Sequence, residues 1–260
     1  MGLRDADRYE YDPNMADIWK QYTNEVYAAL RYLASWPPSS RVEVGDIAVM
    51  QDRSLERQLS LRDLDIDTAV LHGSEIHDRG WASSGTVKLS ANASASGPVH
   101  PGVTGGTECE VSFHAKHAIL LRAGRSREDS MDRLDRVKRE MLRLHNEGKW
   151  NSEWVLVTHV VHAGSLLVLV SNQKGASARL SVSGSVGADA LALALARSNV
   201  TLVGASGMAY EEHSEQDATP LYLAIRVQER VGRKPSLTRI GKRGRARAVG
   251  GDFEVAEVTF

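Results

Sequence analysis

With 260 residues and 28.4 kDa, the chain has room for one large domain or two small ones, and its 42% hydrophobic and 25% charged content is ordinary for a globular protein. A formal net charge of −1 gives the whole molecule no pull toward a polyanion, so attraction to nucleic acid or lipid must come from local patches. The single cysteine, Cys109, excludes an internal disulfide and a cysteine-based zinc centre; the charged opening MGLRDADRYEYD does not read as a signal peptide, and no run approaches the ~18 apolar residues of a membrane-crossing helix.

Residues 15–36, MADIWKQYTNEVYAALRYLASW, are expected to form an amphipathic helix, with Met15, Ile18, Trp19, Tyr22, Val26, Leu30 and Leu33 on one stripe. Asn14 suits its N-cap, and Pro37-Pro38 stop it. Val42, Val44, Ile47 and Val49 predict a strand, QDRS a turn and LERQLSL a returning strand. TVKLSANASAS, 86–96, alternates strictly, with Val87, Leu89, Ala91, Ala93 and Ala95 on one face and Lys88, Ser90, Asn92, Ser94 and Ser96 on the other. After a Gly- and Pro-rich connection, ECEVSFHAKHAILL, 108–121, alternates again, predicting a long hairpin with one thinly apolar face.

SREDSMDRLDRVKREMLRLHN, 126–146, is expected to be a second helix. Ser126 would cap it, Glu128 and Asp129 lie in its first turn, Met131, Leu134, Val137, Met141 and Leu144 make its stripe, and Gly148 ends it. WVLVTHVVHAGSLLVLVSN, 154–172, then turns at Asn172–Gly175 and returns as ASARLSVSG, predicting a second long hairpin over 154–183. DALALALAR, NVTLVGAS and TPLYLAIRVQERV add further strands. These elements predict one α+β domain over 1–231, a twisted, mostly antiparallel sheet with flanking helices, followed by a more polar segment, 232–260.

Catalytic and cofactor signatures are missing from the sequence. His114 and His117, like His159 and His162, have ligand-pair spacing, but on strands that spacing sends the two rings to opposite faces, so no metal site is expected. Cys109 alternates with Val111 and Phe113 and reads as a small apolar residue. Neither VTGGTE nor VGASGMA completes a phosphate or dinucleotide loop, and there is no nucleophile elbow. No catalytic residue and no cofactor is expected.

The order of elements resembles the pore-forming N-terminal domain of the gasdermins, over about residues 15–231, most closely in a short microbial form. TVKLSANASASG with its returning strand is similar to the family's first membrane-inserting hairpin; the helix leading into EWVLVTHVVHAGSLLVLVS resembles the family's helix before a strand of the form VVTEVV, with His159 where the family often has Glu; TPLYLAIRVQERV resembles its closing strand. The resemblance implies a monomer, cytoplasmic when inactive, that on activation binds acidic lipids at the cell membrane, assembles into a large ring and inserts two hairpins per subunit. Carried onto this sequence, the inserting hairpins would include Val87, Leu89, Ala91, Ala93, Val111, Phe113, Val155, Val157, Val161, Leu180 and Val182. Lipid would be met by Arg53, Leu55 and Arg57 in the first loop and by Arg133, Arg136, Lys138, Arg139 and Arg143 on the second helix, where acids are interleaved. Alternating strands equally describe a soluble sheet with one wet face, and hence a binding module for an anionic ligand or protein partner that never enters a membrane.

The ending, KRGRARAVGGDFEVAEVTF, has three readings. A nucleic-acid arm lacks stacking aromatics beside its basic run; a solvated end fits its glycine and charge content. Alternatively, Lys242, Arg243, Arg245 and Arg247 form a linker open to an activating protease, and Phe253, Val255, Val258 and Phe260 dock as an autoinhibitory tail.

Overall fold

The computed structural model of the chain describes residues 13–51, 54–74, 77–83, 86–91, 106–183, 200–230 and 233–240. Helix α1 spans Pro13–Leu30, opening on a proline whose fixed φ suits a first helical turn. Its stripe Ile18, Tyr22 and Val26 is buried. The helix ends well before Pro37. Arg31 turns out of it in the left-handed region at φ 61, and Leu33–Ala34 (β1) pairs instead with a late strand, Leu33 opposite Tyr222. Sheet pairing has taken over what the apolar periodicity assigned to a last helical turn.

Next come β2 (Asp46–Gln51) and β3 (Ser54–Ser60), a hairpin where one was expected, then a 3-10 turn at Leu61–Leu64. β4 (Val70–His72), β5 (His77–Ala82), β6 (Val87–Ala91), β7 (Gly106–Phe113) and β8 (Ile119–Met131) follow. The stretch 108–121 is thus two strands, broken between Phe113 and Ile119.

Residues 126–131 are strand, not the first turns of a helix. Ser126, Arg127, Glu128, Asp129 and Ser130 pair with residues 159–163 of the following strand. Their polar side chains, which read as a solvated helix start, are satisfied across the sheet by Tyr32, His72, Arg79 and His162. Helix α2 covers only Leu134–Asn146, entered through Arg133 at φ 50. Val137, Met141 and Leu144 are buried, as the periodicity requires, and the amides of Gly148 and Lys149 bond back to His145 and Leu144 to close its end.

β9 (Trp154–Ser171) is the central strand, flanked by β2 and β8 on one edge and by β12 (Met208–Ser214) and β13 (Ala218–Arg230) on the other. β10 (Ala176–Ser183) and β11 (Val200–Ser206) lie between β9 and β12 in the chain. β14 (Arg233–Arg239) pairs with β13, so the segment after 231, expected to be separate from the domain, begins as a strand of its sheet.

Among the described residues, ten strands make one antiparallel sheet and four make another, in the order β11-β10-β7-β6. This is the α+β class. Leu156 packs under α2 with Ile47, Met131, Ile225 and Val227, while Val155 and Val157 enter a cluster with Ala48, Tyr222 and Ala224. Further along β9, Val168 and Val170 meet α1, and Leu167 and Leu169 meet the smaller sheet. The core therefore follows one strand from end to end.

Candidate functional site

The strongly alternating segments converge on the smaller sheet. β6 and β7 form an antiparallel hairpin, Val87 opposite Phe113; β10 and β11 form another, Leu180 opposite Leu202. β7 and β10 then pair with each other, Phe113 opposite Ala176 and Cys109 opposite Leu180, so hairpins distant in sequence share one ladder. Successive side chains point to opposite faces. Cys109, Val111, Phe113, Ala176, Ala178 and Leu180 are buried in one cluster with Leu120, Leu167 and Leu169 of the larger sheet. The other face carries Lys88, Ser90, Glu110, Ser112 and Arg179, with Arg179 in register directly across from Glu110, opposite charges at facing positions. Burial pushes the Cys109 thiol up to about 11, against a lesser lowering from its hydrogen bond with the Leu180 backbone. A thiol so held is a packing group, not a nucleophile.

The hairpin expected over 154–183 does not form. β9 and β10 are joined by a turn but belong to different sheets, because β9 is already paired on both edges. Of the residues assigned to the inserting hairpins, Val111, Phe113 and Leu180 lie buried on the inner face of the four-stranded sheet, and Val87 packs against their cluster. Leu89 and Ala91 lie on β6 and Val182 on β10, in register with Val111, Cys109 and Thr107. Val155, Val157 and Val161 instead sit in the core of the larger sheet. Ala93 is outside the described residues, as is the predicted strand 189–197.

The two sheets repeat one strand order. In the larger sheet β5, β8, β9 and β12 are successive neighbours; in the smaller one β6, β7, β10 and β11 are. Each strand continues into its counterpart: β5 into β6, β7 into β8, β9 into β10, β11 into β12. The four crossings, at Ser83 and Thr86, His114–Ala118, Asn172–Gly175 and Gly207, therefore form a row. Backbone bonds stitch that row: Ser83 N to Ile119 O at 2.9 Å, His114 N to Thr86 O at 2.7 Å, His117 N to Ser171 O at 2.8 Å and Asn172 N to Gly207 O at 2.8 Å. His117, Gly175 and Gly207 all take positive φ there. At Gly207 a Cβ would also come within 3.2 Å of Ala176 Cβ, so the bend and its tightness both call for glycine. The Ser171 hydroxyl, fully buried, accepts from Ala118 N at 2.9 Å and donates to Ala115 O at 2.7 Å.

The lipid-contact residues fall into two groups. Leu55 packs against the Val155–Tyr222 cluster and Arg57 is paired with Asp46 at 2.6 Å, so the β2–β3 hairpin offers little free charge there; Arg53 is outside the described residues. On α2, Arg133 pairs with Asp132, Lys138 with Asp135, and Arg143 with both Glu140 and Glu147. Arg136 and Arg139 are exposed and form no ion pair among the described residues. Lys242, Arg243, Arg245, Arg247, Phe253, Val255, Val258 and Phe260 also lie outside the described residues.

Among the described residues no group of three or more His, Cys, Asp or Glu side chains is placed to hold a metal ion. His117 Nδ1 meets Gln21 at 2.8 Å while His114 is exposed; His159 bonds Thr158 and has its basicity lowered by burial, and His162 turns to Asp129 at 3.3 Å. No described helix is long and apolar enough to cross a membrane, a statement that does not extend to strands. No protein-family model matches the chain, and no curated protein or solved structure matches it. The function must therefore be argued from the two sheets themselves.

Proposed function

We propose that this protein permeabilises membranes, as the resemblance to the gasdermin pore-forming domain implies, by swinging its four-stranded sheet out along the row of crossings. The observation that carries the reading is the repeated strand order. Once the bends straighten, β5–β6, β8–β7, β9–β10 and β12–β11 become four continuous strands, each pair with a neighbour already in place. Gly106–Met131 and Trp154–Ser183 then exceed the ~9–11 residues a tilted bilayer-spanning strand needs. The face now buried on Leu120, Leu167 and Leu169 meets lipid, and the face with Lys88, Glu110 and Arg179 lines water. Such a sheet has free edges, which a bilayer does not tolerate, so several copies close into a ring. Arg136 and Arg139 favour an acidic leaflet at first contact. The activator is a protease acting on the basic stretch 242–247 or a partner protein.

Dye release from liposomes rich in acidic lipid, compared with neutral ones, tests this with full-length protein and with protein nicked by trypsin. Leakage confined to acidic liposomes and increased by nicking is expected. Lipid pelleting without leakage in either form would overturn the reading and leave a soluble binding module.

A further inference from the structure

Helix α1 reaches the row of crossings with two polar side chains one turn apart, Gln21 and Glu25, flanking its buried stripe. Glu25 Oε2 accepts a hydrogen bond from Ser83 Oγ at 2.8 Å, and Ser83 Oγ in turn accepts from Ile119 N at 3.0 Å. Glu25 Oε1 accepts from Gln21 Nε2 at 2.7 Å. A carboxylate only accepts, so this bond fixes which end of the Gln21 amide is nitrogen. The amide oxygen must then face His117 Nδ1, 2.8 Å away, which makes that ring nitrogen the donor. One chain of polar contacts thus runs Ile119, Ser83, Glu25, Gln21, His117. It joins the β5–β6 crossing to the β7–β8 crossing through the helix. His117, in the left-handed region at φ 59, also donates its amide to Ser171 O, so the chain extends to the end of β9.

We infer that α1 is a clamp on the bend, with Glu25 as the tie that holds three of the four crossings folded. The apolar stripe of the helix anchors it on the larger sheet, through Ile18, Tyr22 and Val26 packed with Leu121, Val168 and Val170. Its polar flank makes the hydrogen bonds to the crossings. Anchoring and clamping therefore use different residues of one helix, and loss of the tie frees the four-stranded sheet while leaving the larger sheet covered. A partner or lipid surface that draws Glu25 or Gln21 away from the crossings opens the bend without unfolding the molecule. The inference rests on the reading above that the row of crossings is where the molecule opens.

Hydrogen exchange on the full-length chain in solution, without lipid, tests the clamp. Glu25→Ala removes the tie from the helix side, and Ser83→Ala removes it from the sheet side without touching α1. Both should speed exchange of 106–113, 176–183 and 200–206 by about ten-fold or more, as the loss of a hydrogen bond to a charged group implies. Amides of 120–123 and 166–170 should keep wild-type rates; Ile119 N, which loses its acceptor in Ser83→Ala, is not counted among them. Glu25→Gln, which retains an acceptor for Ser83, should restore most of the protection, and the double variant should add little to the larger single effect. Unchanged exchange in the smaller sheet, or equal acceleration in both sheets, would overturn the clamp. Dye release from acidic liposomes is read separately. Looser exchange with no leakage from any form keeps the clamp and removes the pore reading. Leakage by wild type with no change of exchange in the variants does the reverse.

Discussion

Asp129 shows how a charged residue earns a place inside a sheet. Its carboxylate is only 5% exposed and receives His72 Nδ1 at 2.8 Å, Arg127 Nε at 3.0 Å and His162 Nε2 at 3.3 Å. Burial alone would raise its pKa, but the bond from His72 and the charges of Arg127 and His162 outweigh that and hold the carboxyl below its ordinary value. A folded value below the unfolded one means stability present above about pH 4 and lost as pH falls through the folded value. Asp129→Asn should therefore cost about 1–3 kcal/mol at pH 7, toward the lower end because His72 is mostly exposed. Urea unfolding at stepped pH should show the gap between variant and wild type closing below about pH 4. A gap independent of pH would mean that the charge is not what matters. Tyr32 and Arg79 serve the adjacent Glu128 in the same way, at 2.6 and 2.9 Å. Apart from Arg127 these partners sit far from 126–131 in the chain, so local sequence could not reveal that Ser126–Met131 is strand.

At the level of elements, what the sequence made legible was periodicity that survived tertiary pairing. The 3.6-residue stripe of α2 and the β-branched run of β9 are both present. Met141, fully buried between α2 and the sheet, should cost about 2–5 kcal/mol on truncation to alanine, read as a lowered midpoint in thermal or urea unfolding. Boundaries were legible only where a turn residue announced them, as Gly148 and Gly175 do at φ 69 and 85. At Arg31 and Arg133 the chain reverses at positive φ without glycine, and there the periodicity overran α1 and mistook the end of β8 for the start of α2. The pairing of β7 with β10 was out of reach for another reason. Local alternation fixes a strand's faces but not its neighbours, and these two are separated by β8, α2 and β9.

For the whole molecule, net charge near zero conceals an uneven surface. Ion pairs engage Arg133, Lys138 and Arg143 on α2, which leaves Arg136 and Arg139 as its exposed positive charges outside ion pairs among the described residues. At ~1 kcal/mol per basic residue near an anionic leaflet, Arg136→Ala with Arg139→Ala should weaken pelleting with acidic liposomes by about ten-fold or more. Raising salt should weaken wild type likewise. Equal pelleting of variant and wild type would move lipid contact elsewhere.

The repeated strand order also bears on speed. A sheet that changes shape usually has to break one set of partners and search for another, and that search is slow because distant segments must find each other again. Here β7 lies beside β10 as β8 lies beside β9, so no segment has to find a new neighbour within the chain. On the opening proposed above, the barrier would lie in the four short crossings, one apolar cluster and the α1 contacts that tie them, and the motion would resemble unfolding a hinged screen more than refolding a protein.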